Sequence, residues 1–291
     1  MDANEPDDST GDGIEFRRLR PEDREPLLAI AAGIWEGHDY LPHVFDAWVR
    51  SEETYFGGLF VGGRLAGCGR LLPLDERRVW LEALRVDPAL QGRGLGRLMS
   101  AHVVRRALEM GFREFLFSTY FSNHGSIRIS EASGFRRVAT FTHLELEELA
   151  PAAAALAGVD DEGVRAVPGI PDVQDLLVND WFFVPPGVPD RGRHFPGALT
   201  LEAEGDQVLI ARNGKYPKCL EICWRRAPGG KISRACLARA VRHARLQGLE
   251  CMHTMLPEGQ ALAPYREAGF AFFEQEHDTY LYAARAEDLR L

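Results

Sequence analysis

No apolar run in this sequence approaches the roughly 20 residues that a membrane-spanning helix requires. The opening stretch "MDANEPDDSTGDG" lacks the basic and apolar regions of a secretory signal, so residues 1–13 read as a disordered lead-in. Basic charge is short as well: 34 Lys and Arg stand against 43 Asp and Glu, for a net charge of −9. A general nucleic-acid binder needs the opposite balance. Cysteine is sparse. Cys68, Cys219, Cys223, Cys236 and Cys251 are scattered, with no CxxC or Cys/His spacing of a ligand set. Neither a zinc site nor a disulfide scaffold is expected. Cys219 and Cys223 in "KCLEICW" read as ordinary packing in a reducing compartment. These absences predict a soluble cytoplasmic protein with no nucleic-acid or membrane partner and no metal.

What is present is an ordinary globular composition, 45% hydrophobic and 26% charged over 291 residues. That length allows one large domain or two smaller ones. The patterning reads β-α-β-β-β-α-β-α-β over residues 14–148, a mixed sheet of α/β (α+β) class with helices against it. Ala-rich and then Pro-rich stretches follow, which places a first domain at 14–149, a linker at 150–171 and a second domain at 172–291. The second domain partly repeats the first. In both, a helix, a Gly turn (Gly111, Gly248), a strand, and a short helix ending in Gly-Phe ("ASGF", "EAGF") precede a further strand. The second copy has "RRAPGGKISRACLAR" where the first has a glycine loop, so it reads as a degenerate half-domain without that loop's ligand.

The glycine loop, in "EALRVDPALQGRGLGRLMSAHVV", joins a strand to an amphipathic helix, where backbone amides favour an anion. No Lys-Ser/Thr follows, which excludes a P-loop. Arg97 stands where a dinucleotide fingerprint needs its third glycine. What remains is Q-x-x-G-x-G: Gln91, Gly94 and Gly96. With the element order and "SEASGF", this resembles the GCN5-related N-acetyltransferase (GNAT) superfamily, whose fold has a mostly antiparallel mixed sheet and binds acetyl-CoA between two splayed strands. The resemblance implies that amides of Leu84, Arg85 and Val86 hold the pantetheine arm. It puts Gln91, Gly92, Arg93, Gly94, Leu95, Gly96 and Arg97 around the pyrophosphate, with Asn123 and Ser126 near the pantetheine. No metal is implied.

Acetyl transfer needs a neutral amine, and amines titrate at about 8 to 10, so a general base raises the reactive fraction. Glu82 is the candidate. Strand alternation puts it on one face with Trp80 and Leu84, and the resemblance implies a glutamate there. The family's tyrosine acid is replaced by Ser130, leaving Tyr120 as a substitute. Tyr265 holds the tyrosine position in the second copy and reads as packing.

The segment "GIWEGHDYLPHVFDAWVR" gathers Trp35, His38, Asp39 and Tyr40 on a loop, which suggests ligand contacts. It also resembles the histidine N-acetyltransferase branch, through Gly33, Ile34, Gly37, Asp39, Tyr40, Leu41, Pro42 and Trp48. The expectation is an enzyme that acetylates a small amine such as a free amino acid, with Arg85 or Arg70 meeting the carboxylate. Acetylation of protein N-termini, lysines or an amine antibiotic stays open, as do a non-catalytic acyl-CoA sensor and a homodimer.

Overall fold

The computed structural model describes residues 13–34, 37, 39–203, 205–226 and 231–291. Trp35 and His38, both expected at the acceptor, lie outside the described residues, as does most of the lead-in. The chain divides into two compact units whose boundaries do not follow the composition. Unit 1 holds residues up to Phe117, then Asn123–Arg136 and Tyr282–Leu291; unit 2 holds Ser118–Ser122 and Arg137–Leu281.

In unit 1, strands β1 (Ile14–Arg18), β2 (Tyr55–Val61), β3 (Arg64–Pro73) and β4 (Arg78–Val86) form antiparallel ladders, and β5 (Glu114–Tyr120) pairs with β4 in parallel. Helices α1 (Arg24–Ala32), α2 (Leu41–Arg50), α3 (Leu95–Glu109) and α4 (His124–Ala132) accompany them. The order follows the reading from periodicity except that two helices, α1 and α2, stand between β1 and β2. On α3, Leu95, Met99, Val103, Val104 and Ala107 are buried.

The C-terminal residues complete this unit. Tyr282, 1% exposed, stacks on Phe117 at 5.1 Å and donates to Glu131 at 2.9 Å. The Ala286 N–H reaches the Arg113 carbonyl at 2.9 Å and the Arg290 N–H reaches that of Ser133 at 3.0 Å. Gly134, at φ +96°, lies under this tail, and a Cβ there would meet the Asp288 carbonyl oxygen at 2.1 Å. Only glycine tolerates that approach. The Gly-Phe motif is therefore a seat for the chain's own end.

Unit 2 begins with most of β6 (Arg136–Leu146). The stretch read as a linker is not one, for it holds most of helix α5 (Leu149–Ala155) and strand β7 (Arg165–Pro168). A short hairpin of β8 (Leu177–Asn179) and β9 (Phe182–Val184) comes next, then β10 (Leu199–Ala203), β11 (Asp206–Arg212), β12 (Cys219–Arg226), helix α6 (Arg234–Leu246), β13 (Cys251–Pro257), α7 (Ala263–Glu267), β14 (Ala271–Phe272) and β15 (Thr279–Arg285). The second half of β15 belongs to unit 1 and lies beside β5. The sheet of unit 2 runs β6-β13-β12-β11-β10-β7, with β14 also on β6 and only β12–β13 parallel. One face packs Leu144, Leu146, Leu220, Ile222 and Met252 against α6 and its neighbours.

The repeat holds at the level of topology: α3 links parallel strands β4 and β5 as α6 links β12 and β13. Tyr265 packs as expected. It is buried and accepts from Arg225 at 3.0 Å. Two cysteines depart from expectation. Cys219 and Cys251 are directly opposed across β12 and β13, their Cα atoms 4.6 Å apart, and form a disulfide. Their separation of 32 residues hid a pairing that register alone creates.

Candidate active site

β4 is an interrupted strand. Its register against β3 runs Cys68↔Arg85 and then Arg70↔Glu82, so β4 carries one residue more over that step. The surplus is absorbed at Ala83, whose φ is +59°, and such a bulge turns a strand and re-aims its groups. On the other edge, the parallel ladder with β5 ends at Trp80 and Leu116, although β4 continues to Val86. The main chain at Leu84 and Val86 is therefore not tied to β5. The alternation expected to align Glu82 with Leu84 breaks at Ala83.

Beyond β4, Asp87 caps a short turn by accepting from the Ala89 N–H at 2.9 Å. Gly92 and Gly94 follow at φ +79° and +80°, with nothing within 4 Å of where a Cβ would sit. Their requirement is conformational, a left-handed backbone, rather than spatial. Gly94 is the N-cap of α3, contributes no capping side chain, and is followed by no acid in the first turn. First-turn amides and the helix dipole thus favour an anion, with exposed Arg93 and Arg97 beside them. Gly96 serves another end. Its Cβ would lie 3.3 Å from Ile129 Cδ1 and 3.8 Å from Val86 Cγ2, so its absence lets α3 approach β4 and α4.

The matching helix start in unit 2 is closed. Ser233 caps α6 by accepting from the Cys236 N–H at 3.1 Å, and its own N–H donates to Asp206 Oδ2 at 2.7 Å. A protein carboxylate stands at that helix start.

The sequence model of the Acetyltransferase (GNAT) family matches residues 17–135. The bulged β4, the glycine loop and the element order accord with that match. Residues 17–135 match the GNAT family and have its fold. Among solved structures, the chain is similar to a tandem GNAT protein from the clavulanic acid biosynthesis pathway (19% identity, 94% of this chain and 98% of that one, TM-score 0.60). It is also similar to a GCN5-related N-acetyltransferase from Sphaerobacter thermophilus (14% identity, 95% and 97%, TM-score 0.62). No curated protein sequence matches the chain. At these identities the likeness is one of fold, and the tandem relative extends it over both units.

Within the GNAT domain, Glu82 is not a free carboxylate. It is paired with Arg70, both side chains being over 90% buried, and the Arg70 guanidinium lies 4.0 Å over the Trp48 ring. Arg70, considered for an acceptor carboxylate, is thus engaged by the candidate base. Arg85 is engaged too. Its Nε donates to Asp39 Oδ2 at 2.8 Å, and Asp39 Oδ1 accepts from the Leu41 N–H at 3.1 Å, fixing the start of α2. Burial opposes the charge on Arg85, but Tyr40 and Asp39 outweigh it and hold its pKa above the ordinary value. The structure therefore gathers Asp39, Tyr40 and Arg85 into a buried tie, where the sequence reading had them contact the acceptor. Asn123 caps α4, its side-chain oxygen accepting from the Ser126 N–H at 3.2 Å. Ser130, at the tyrosine position, is buried. Tyr120 groups with unit 2, its ring edge-on to Trp181 at 6.4 Å. Cys68 is no nucleophile, since burial pushes its thiol up to about 12.

Sequence reasoning missed a second concentration of ionisable groups, in unit 2. Burial, with Asp180, Glu147 and Asp278 nearby, pushes the Glu145 carboxyl up to about 7. Burial alone takes His253 down to about 4. A raised acid stabilises the fold below its unfolded value and loses that contribution as pH rises through the folded one. Glu145→Gln should therefore gain stability over the native chain between pH 5 and pH 8, by at most about 3 kcal/mol. Urea unfolding at both pH values, in metal-free buffer, checks the sign.

Proposed function

We propose that the chain transfers the acetyl group of acetyl-CoA to the amine of a small molecule. The observation that carries this is the continuous device of the Ala83 bulge, the strand edge released from β5 and the left-handed Gly92–Gly94 start of α3. The bulged edge offers amides and carbonyls to a pantetheine arm, and the helix start offers N–H groups and two arginines to a pyrophosphate. The resemblance of the Gly33–Trp48 segment to histidine N-acetyltransferases supports a free amino acid as acceptor.

In the reaction the neutral amine attacks the thioester carbonyl, the tetrahedral intermediate collapses, and CoA leaves as a thiolate with a thiol pKa near 8.5. That leaving group needs little help, which makes Ser130 in place of a tyrosine tolerable. Glu82 accepts the amine proton directly or through a water, while Arg70 holds its orientation.

Thiol release from acetyl-CoA against free amino acids, polyamines, aminoglycosides and short peptides tests the reading. Glu82→Gln should lower turnover about 100-fold, within the usual range for a general base, and leave acetyl-CoA affinity within about threefold. Activity on peptides alone would move the acceptor to proteins.

A second reading, an acyl-CoA sensor, is favoured by the buried Ser130 and the Glu82–Arg70 pair. It predicts binding without turnover and indifference to Glu82→Gln.

A further inference from the structure

The face of the unit 2 sheet turned away from its apolar core carries a different set of side chains. Along β6, Leu144 and Leu146 point into the core and His143 and Glu145 to the other side. β13 alternates likewise, with Met252 and Leu256 inward and His253 opposite. Register then aligns the polar residues. His253 pairs with Glu145 on one flank and with Glu221 on the other, so three adjacent strands present Glu145, His253 and Glu221 in one row. Cross-strand partners share a face.

Three of these side chains are buried, and Glu145 is partly exposed. Glu221 is 0%, His143 1% and His253 8% exposed. Trp181 stands edge-on to His143 at 5.5 Å, and Phe273 lies 5.1 Å from it. His143 and His253 face each other at 5.5 Å between ring centroids. Burying so many ionisable groups is unfavourable unless each is partnered. Yet both ring nitrogens of His143, Nδ1 of His253 and Oε1 of Glu221 have no hydrogen-bond partner among the described residues. Acceptors of this kind, two imidazoles with carboxylates, are the donor set of a borderline divalent cation.

We propose that unit 2 binds one divalent transition-metal ion between His143, Glu145 and His253, with Glu221 beside them. The ligand atoms of the first three lie within 4.8 Å of one another. His143 Nε2 and Glu145 Oε1 are already 3.7 Å apart. Metal–ligand bonds of about 2.0–2.1 Å place tetrahedral ligand atoms about 3.3 Å apart, so the side chains need close by at most about 1.5 Å. Asp180 Oδ1, 3.9 Å from His253 Nδ1, stands at the same end. The Cys219–Cys251 disulfide keeps both sulfurs out of the set, although Cys219 Sγ is 3.7 Å from His253 Nε2. The ion would clasp two neighbouring strands, a structural role distinct from acetyl transfer.

Zn²⁺ is the probe. Full-length protein stripped with chelator and dialysed should take up one Zn²⁺ per chain by elemental analysis, melt several degrees higher with Zn²⁺, and lose most uptake as His143→Ala or His253→Ala. Co²⁺ in its place should give visible d–d absorption without a sulfur charge-transfer band, a readout on the native chain that needs no variant to fold. Glu82→Gln should leave uptake unchanged, which separates this site from the proposed acetyl transfer. Failure of the folded native chain to retain Zn²⁺, or uptake undiminished in both histidine variants, would overturn the proposal.

Discussion

A chain ending at residue 281 should lose acetyl-CoA binding, and the fold of unit 1 with it. The missing Tyr282–Leu291 belongs to that unit. Its removal strips the ring stacked on Phe117, the hydroxyl bonded to Glu131, and the two main-chain bonds to Arg113 and Ser133. Losing a buried aromatic costs about 3–5 kcal/mol, and each main-chain bond about 1 more. The total is comparable to the whole stability of a small domain. A fragment of residues 14–149, the first domain as composition would cut it, should fare no better. It lacks the same tail and carries residues 137–149, which belong with unit 2. Urea unfolding with calorimetric titration of acetyl-CoA measures both. A 14–149 fragment that unfolds cooperatively and binds acetyl-CoA as the full chain does would refute the assignment. Gly134→Ala should approach the truncation in severity, because its Cβ meets main chain rather than a movable side chain.

Gly94→Asp should weaken acetyl-CoA binding about 100-fold or more. A carboxylate placed at the start of α3 opposes the pyrophosphate at a few ångströms, a repulsion of about 1–4 kcal/mol depending on solvent exposure, and it takes the amides for itself as an N-cap. Space around the position is open, so the stability cost is confined to the left-handed backbone, about 1–2 kcal/mol. Gly94→Ala shares that backbone cost without the charge. If Gly94→Ala and Gly94→Asp lose affinity equally, charge is irrelevant there and the anion-site reading fails. Unit 2 already shows such a state, with Asp206 at the start of α6.

The element order of the first half was legible because apolar spacing, glycines and prolines are local signals. The glycine loop was legible as a set, though not the division of labour within it, since only packing reveals that Gly96 faces Ile129. The bulge at Ala83 was illegible because alanine gives no warning of a positive φ; the surplus residue exists only relative to β3. Glu82, Arg70, Asp39 and Arg85 were each singled out, and their mutual pairing was missed, since ion pairs join residues 12 and 46 positions apart. His143, Glu145 and His253 were not singled out at all. H-x-E on β6 was visible, but its partner is supplied by strand register 108 residues away from Glu145. The unit boundary went astray for a like reason. Composition marks where a chain changes character, not where its end returns.

That return has a consequence in time. Protein synthesis proceeds at about 5–20 residues per second, and domains generally fold as they emerge. Here the residues up to Arg136 leave the ribosome well before Tyr282–Leu291 exists. For about ten seconds or more the nascent first unit waits without its last strand, with Phe117 and the seat at Gly134 uncovered. A chain interrupted before these residues are made leaves unit 1 without them, so its packing closes only after Tyr282–Leu291 has been synthesised.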